Sequence, residues 1–174
     1  MKFFIIFLIS LSTLLFNTNS YTNETIAYVD MNKILNESKA GVSIKSSLEK
    51  VHKLNLDKFK NKEEDFKNKE QKLLSKRNLM KKEEFELKIN ELRESYKKYQ
   101  EDKKNRLQEI TVKRNKGTEI ILKKLQNILA TYSNENNISV IVDKRNIIIG
   151  KSELDITGPV ISKLDKTLPV VKID

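Results

Sequence analysis

The 174-residue sequence predicts an α+β chain in which a long antiparallel helical hairpin is inserted in a small β body. Three observations carry that expectation. Between Gly41 and Gly117 there is no glycine or proline, and the stretch is rich in Lys, Glu, Asn and Leu, so nothing in it obliges a helix to end. The heptad spacing of its apolar residues changes register midway. Short, intensely apolar, β-branched runs flank it on both sides.

The N-terminus sets the compartment. Lys2 precedes an apolar run from Phe3 to Leu8 that continues to Leu14, Leu15 and Phe16, and small polar residues follow. Thr18 and Ser20 suit the −3 and −1 positions of a signal-peptidase site, so residues 1–20 are expected to be a cleaved signal peptide, with Tyr21 starting an exported, periplasmic chain. About 14 mostly apolar residues fall short of the roughly 20 that a membrane-spanning anchor needs. With no cysteine in the sequence, a lipidated N-terminal cysteine and any disulfide framework are excluded.

Residues 21–41 begin the body. Ile26 to Asp30 has strand composition, and a short helix is expected from Met31 to Glu37. The arm then occupies 42–117. In its first half His52, Phe59, Phe66 and Leu73 recur every seven residues, with Leu56, Glu63 and Glu70 as mostly charged seam partners. In its second half Phe85, Ile89, Leu92, Tyr96 and Tyr99 follow 4-and-3 spacing. The two registers do not connect, which places a turn between Ser75 and Lys82 and a tip near 76–82, with arms of roughly 50 Å each. One unbroken rod of roughly 110 Å is the alternative, since no Gly or Pro marks the tip. A half-polar seam buries little area, so the arms should bend.

The second part of the body is 118–174. Ile121, Leu125, Ile128 and Leu129, then Tyr132, form a broad apolar helical face that ends at Asn134–Asn137. Ile138 to Val142 and Asn146 to Ile149 have the composition of two strands around a turn. Asp155-Ile156-Thr157 opens a closing helix with Pro159 in its first turn. Three short strands cannot close a sheet alone, so pairing through their edges with other chains is expected.

Residues 42–134 hold 25 Lys plus Arg against 15 Asp plus Glu, a net of +10. The rest of the chain after Ser20 holds 8 against 9, a net of −1. The basic character is densest at Lys67, Lys69, Lys72, Lys76, Arg77, Lys81 and Lys82, opposed in that window only by Glu70. Such a run is either a solvated face or a patch that attracts acidic protein, lipopolysaccharide or an anionic lipid surface. With Leu79 and Met80, these residues are the candidate tip for client or lipid contact. An enzyme is not expected: His52 is the only histidine, there is no cysteine, no metal-ligand cluster or catalytic set is recognisable, and the four glycines form no phosphate loop. Neither a cofactor nor a metal is expected. The basic charge would suit nucleic acid in low salt, but the export signal and the Glu residues along the arms argue against it as a physiological partner.

Ile26 to Leu35 (IAYVDMNKIL), the glycine-poor basic insert, and Ile138 to Thr157 (ISVIVDKRNIIIGKSELDIT) together resemble the Skp/OmpH family of periplasmic chaperones. The resemblance spans nearly all of the chain after Ser20, on strand and helix patterns and not on an active-site signature. It implies a homotrimer in which an intersubunit β-barrel carries helical tentacles around a cavity. It also implies an ATP-independent holdase for unfolded outer-membrane β-barrel proteins. Ile26, Tyr28, Val29, Val140, Val142, Ile147, Ile148 and Ile149 would lie in the trimer body, while Asp143 and Asp155-Ile156-Thr157 match recurrent positions. One departure is that Met80-Lys81-Lys82 offers no capping side chain where relatives have one. A holdase needs many weak contacts on a flexible surface, and basic arms with scattered Phe59, Phe66, Phe85, Tyr96 and Tyr99 provide them. The runner-up is a coiled-coil spacer or adaptor of the cell envelope.

Overall fold

The computed structural model describes residues 25–173, so the expected signal peptide lies outside the described residues. The chain runs β1 (Thr25–Val29), α1 (Met31–Glu37), α2 (Lys39–Ser75), a 3₁₀ turn (Arg77–Leu79), α3 (Lys82–Glu135), β2 (Ile138–Asp143) and α4 (Thr157–Thr167). It is mostly helical, with a small two-stranded sheet.

Each helix end has a local cause. The Asp30 side chain accepts the Lys33 N–H at 3.0 Å and starts α1. Ser38 Oγ accepts the Gly41 N–H at 3.1 Å and starts α2. Gly41 is required by close approach, since a Cβ there would sit 1.9 Å from the Leu35 carbonyl oxygen. The helices α2 and α3, of 37 and 54 residues, reach about 55 and 80 Å. They are antiparallel: Tyr99 faces Phe59, Tyr96 faces Phe66, and Gly117 lies against Ile44. Asn136 and Asn137 end α3, Asn137 taking the left-handed conformation (φ 52°) that Asn tolerates.

The core gathers where α1, the base of α2, the end of α3, α4 and one sheet face meet. Ile34, Ala40, Val160 and Leu164 are fully buried there, with Ile44, Ile121, Leu125, Ile128 and Ile156 around them. The C-terminal segment closes over the base of the hairpin. The Val171 N–H donates to Ser43 Oγ at 3.0 Å, and Val171 is buried.

Three expectations are corrected. Two of the expected strands pair with each other within the chain: β1 and β2 are parallel, with Ile26 beside Val140, Ala27 beside Ile141 and Tyr28 beside Val142. The hairpin is the crossover that returns the chain beside β1. Asn146–Ile149 is not a strand. Asp143 accepts the Arg145 N–H and pairs with its guanidinium at 2.7 Å, turning the chain through a 3₁₀ turn at Lys144–Asn146. β1 also receives a bond from the closing segment, Ile156 N–H to the Tyr28 carbonyl at 3.0 Å, so Asn146–Ile149 is left outside the sheet. α3 runs through Gly117 and carries the apolar face that follows it. The first seam partner also shifts by one residue. Asn55 is buried, Leu56 points to solvent and His52 is exposed at the rim, because a seam on Phe59 takes its second position four residues before it.

Candidate functional surfaces: the arms, their tip and the sheet face

The arm seam is pinned at mid-length by four aromatic rings. Phe59, Phe66, Tyr96 and Tyr99 pack edge-on or tilted at centroid distances of 5.3 to 6.3 Å. The Tyr99 hydroxyl donates to Glu63 Oε1 at 2.8 Å and lies 3.3 Å from the Phe59 carbonyl. Lys103 Nζ pairs with the same Glu63 oxygen at 2.7 Å and sits 5.5 Å above the Phe59 ring. Burial, then the hydrogen bond to Glu63 and the charge of that carboxylate, pushes the Tyr99 phenol up to about 12. The Lys103 and Tyr99 bonds hold the Glu63 carboxyl below its usual range. Glu63 was expected as a charged seam position.

At the tip, Ser75 ends α2, Lys76 to Met80 turn the chain, and α3 begins after Lys81 with no side-chain cap. Leu79 is 86% exposed, whereas Met80 is half-buried. The seven cations of the window separate into two groups. Lys69 pairs with Asp65 at 2.7 Å and lies over Phe66, Lys82 reaches Glu86 at 4.0 Å, and the Arg77 guanidinium stacks 5.9 Å from the Phe85 ring. Lys67, Lys72, Lys76 and Lys81 have no ion-pair partner among the described residues. Their charge remains available to a ligand.

The body presents the third surface. Ile26 and Val140, neighbours across the sheet, are both exposed, while Val29 turns into the chain's own core. Tyr28 is buried beneath the segment after β2, its ring 3.1 Å from where a Gly150 Cβ would lie, with Ile147 beside it. Val142 and Ile147 are half-buried. Ile148 and Ile149 project outward, 100% and 91% exposed. The residues expected in a trimer body therefore divide between the chain's own packing and uncovered apolar side chains. Asp155 and Thr157 brace that region. Thr157 Oγ1 accepts the Asp30 N–H at 2.9 Å, and Asp155 Oδ1 accepts the Thr157 N–H at 2.9 Å.

His52 stands at the rim of a base groove between α2 and α3, near Leu107, Ile110 and Arg114. Among the described residues no group of His, Cys, Asp and Glu has the arrangement of a metal site, and no helix is long and apolar enough to cross a membrane.

No curated protein matches this sequence. Its fold matches a crystal structure from Caulobacter crescentus CB15 whose designation as an outer membrane chaperone (OmpH-like) is provisional. The TM-score is 0.82 at 15% identity, covering 87% of this chain and 89% of that one. The family model for OmpH-like outer membrane proteins matches residues 25–164, which span β1, both arms, β2 and most of α4. The chain belongs to the OmpH-like family.

Proposed function

We propose that this protein is an ATP-independent periplasmic holdase that keeps unfolded outer-membrane β-barrel proteins from aggregating. Membership of a family of outer membrane chaperones gives the class. The observation that carries the mechanism is the contrast between the two ends of the molecule. The arms project far beyond the core on a thin, partly polar seam, and their aromatics and unpaired lysines lie along an open surface. Such a surface offers many weak contacts and no single tight pocket, and multivalency raises affinity without ordering the client.

At the other end, Ile26, Val140, Ile148 and Ile149 are apolar side chains that a lone chain exposes to water. Their burial between copies would gather several arms around a shared space, as a homotrimer does. The tip residues Lys72, Lys76, Lys81 and Leu79 are then the parts of the arm that first meet an acidic client or an anionic lipid or lipopolysaccharide surface. Diluting a denatured porin into buffer with the mature protein tests the reading. Light scattering should fall to the level of soluble porin at a small molar excess of chaperone, without nucleotide. Unchanged scattering would leave the arms as envelope spacers.

A further inference from the structure

Midway along the arm, α2 and α3 leave an open pocket of about 680 Å³ between them, within the size range that seats small ligands or one or two large side chains. Phe66, Ile89 and Leu92 form its floor and are only half-buried, and Tyr96 beside them is exposed. Above this floor stand Lys67, Arg93 and Lys97, none with an ion-pair partner among the described residues. Two carboxylates also reach the rim, but they are not equivalent. Glu63 is engaged by the Tyr99 hydroxyl and Lys103, whereas Glu70 has no such partner. Three free cations thus face one free carboxylate around an uncovered apolar floor.

We propose that this pocket receives an acidic, apolar segment of an unfolded polypeptide. One aromatic or large aliphatic side chain sits on Phe66, Ile89 and Leu92, and flanking Asp or Glu residues pair with Lys67, Arg93 and Lys97. The inference rests on the holdase reading and names the class of client segment the arm prefers. Charge complementarity selects this occupant. An anionic bilayer would favour an unbroken basic face, but Glu63 and Glu70 interrupt this one. The pocket also lies about 20 Å from the tip by the helical rise between Phe66 and Leu79, where a flat surface touching Leu79 does not reach and an extended chain does. The apolar contact and the charge pairs are each weak, so such a site retains a segment briefly without folding it.

Fluorescence anisotropy with the full mature chain tests this, using short labelled peptides with one Asp-Phe-Asp core and controls with Ser-Phe-Ser or Asp-Ala-Asp. The Asp-Phe-Asp peptide should bind roughly tenfold tighter than either control, as a few exposed ion pairs and one buried ring together allow. The exposed double variant Arg93→Glu/Lys97→Glu should lose that preference while its helical circular dichroism is unchanged, and Lys67→Glu should weaken it in the same direction. Equal binding of the three peptides would overturn the proposal. So would an unchanged preference in both variants, or charge-dependent binding only of phosphatidylglycerol vesicles. The porin aggregation assay, run in parallel, separates the two readings. Suppression without peptide preference removes the pocket alone, and preference without suppression removes the holdase reading alone.

Discussion

At the residue scale, two glycines in helical surroundings separate close approach from convenience. A Cβ at Gly41 would meet main-chain atoms of Leu35 at 1.9 and 2.7 Å, and backbone cannot yield, so Gly41→Ala should cost about 3 kcal/mol. A Cβ at Gly117 would meet Ile44 Cδ1 at 2.8 Å and Ile44 Cγ1 and Ile173 Cγ2 at 3.1 Å, all side-chain atoms, which can give by a few tenths of an ångström where backbone cannot. The helix propensity gained by alanine, up to about 1 kcal/mol, offsets most of that strain, so Gly117→Ala should be near neutral in denaturant unfolding. Equal losses in the two variants would contradict this account. Tyr99 supplies a second test at this scale. Its phenol is pushed up to about 12 by burial and Glu63, so the folded arm favours the neutral hydroxyl. That contribution is complete below the ordinary tyrosine range near 10 and is lost as pH rises towards 12. Thermal scans across that window should show the native chain losing more stability than Tyr99→Phe. Neither glycine's role was legible beforehand, because the atoms that decide it belong to Leu35 and Ile44, brought there by the fold. Glu63 was hidden for a related reason: a heptad pattern locates a stripe, but a charged residue at its edge can be solvated or bonded across the seam.

At the scale of elements, the register conflict between His52-Phe59-Phe66 and Phe85-Leu92-Tyr99 was enough to place the turn of the hairpin, because two stripes that cannot share one face can meet across a fold. The turn lies between Ser75 and Lys82 without Gly or Pro, Met80 and Lys81 taking the extended conformations that separate the helices. The closing helix was legible from Asp155-Ile156-Thr157 and Pro159, although α4 starts at Thr157 itself. The false strand at Asn146–Ile149 had correct composition and no partner. Ile147-Ile148-Ile149 carries strand propensity, but Asp143 and Arg145 turn the chain and the residues project instead. The missing cap at the start of α3 gives a prediction at this scale. Lys81 has cap geometry, but its ammonium only donates and cannot accept a first-turn N–H, so those groups turn to water and to the favourable charges of Glu83 and Glu84 in the first turn. Lys81→Ser should stabilise the start of α3 by about 1 kcal/mol, seen as slower amide exchange over residues 82–88. Unchanged exchange would mean the tip turn is set by other contacts.

At the scale of the whole molecule, the two ends make separable predictions. The exposed apolar side chains of the body are what assembly would cover, so Val140→Asp or Ile148→Asp should place an unpaired charge in the interface and dissociate the oligomer in light scattering. Each substitution lies on a side chain already exposed in the single chain, so helicity should persist, and a variant that stays fully assembled would move the interface elsewhere. The tip should behave oppositely. Lys76, Arg77, Lys81 and Lys82 lie at the far end of arms tens of ångströms from the core, so reversing all four to Glu should leave assembly intact. Their effect should appear in the rate of capture. Lys76 and Lys81 are free, Lys82 is held only loosely by Glu86 at 4.0 Å, and Arg77 stacks on Phe85 without losing its charge. Exposed charges raise encounter rates with an oppositely charged partner, and at roughly 0.1 M salt their reach falls to about 10 Å. Stopped-flow capture of an unfolded acidic porin by the native chain should therefore slow as salt rises and level off at a rate set by Leu79 and the aromatics of the arm. In the reversed variant capture should begin near that lower rate and lose most of its salt dependence. If the variant keeps both the native rate and the native salt slope, the lysines of the tip serve only to keep it solvated, and capture must begin deeper along the arms.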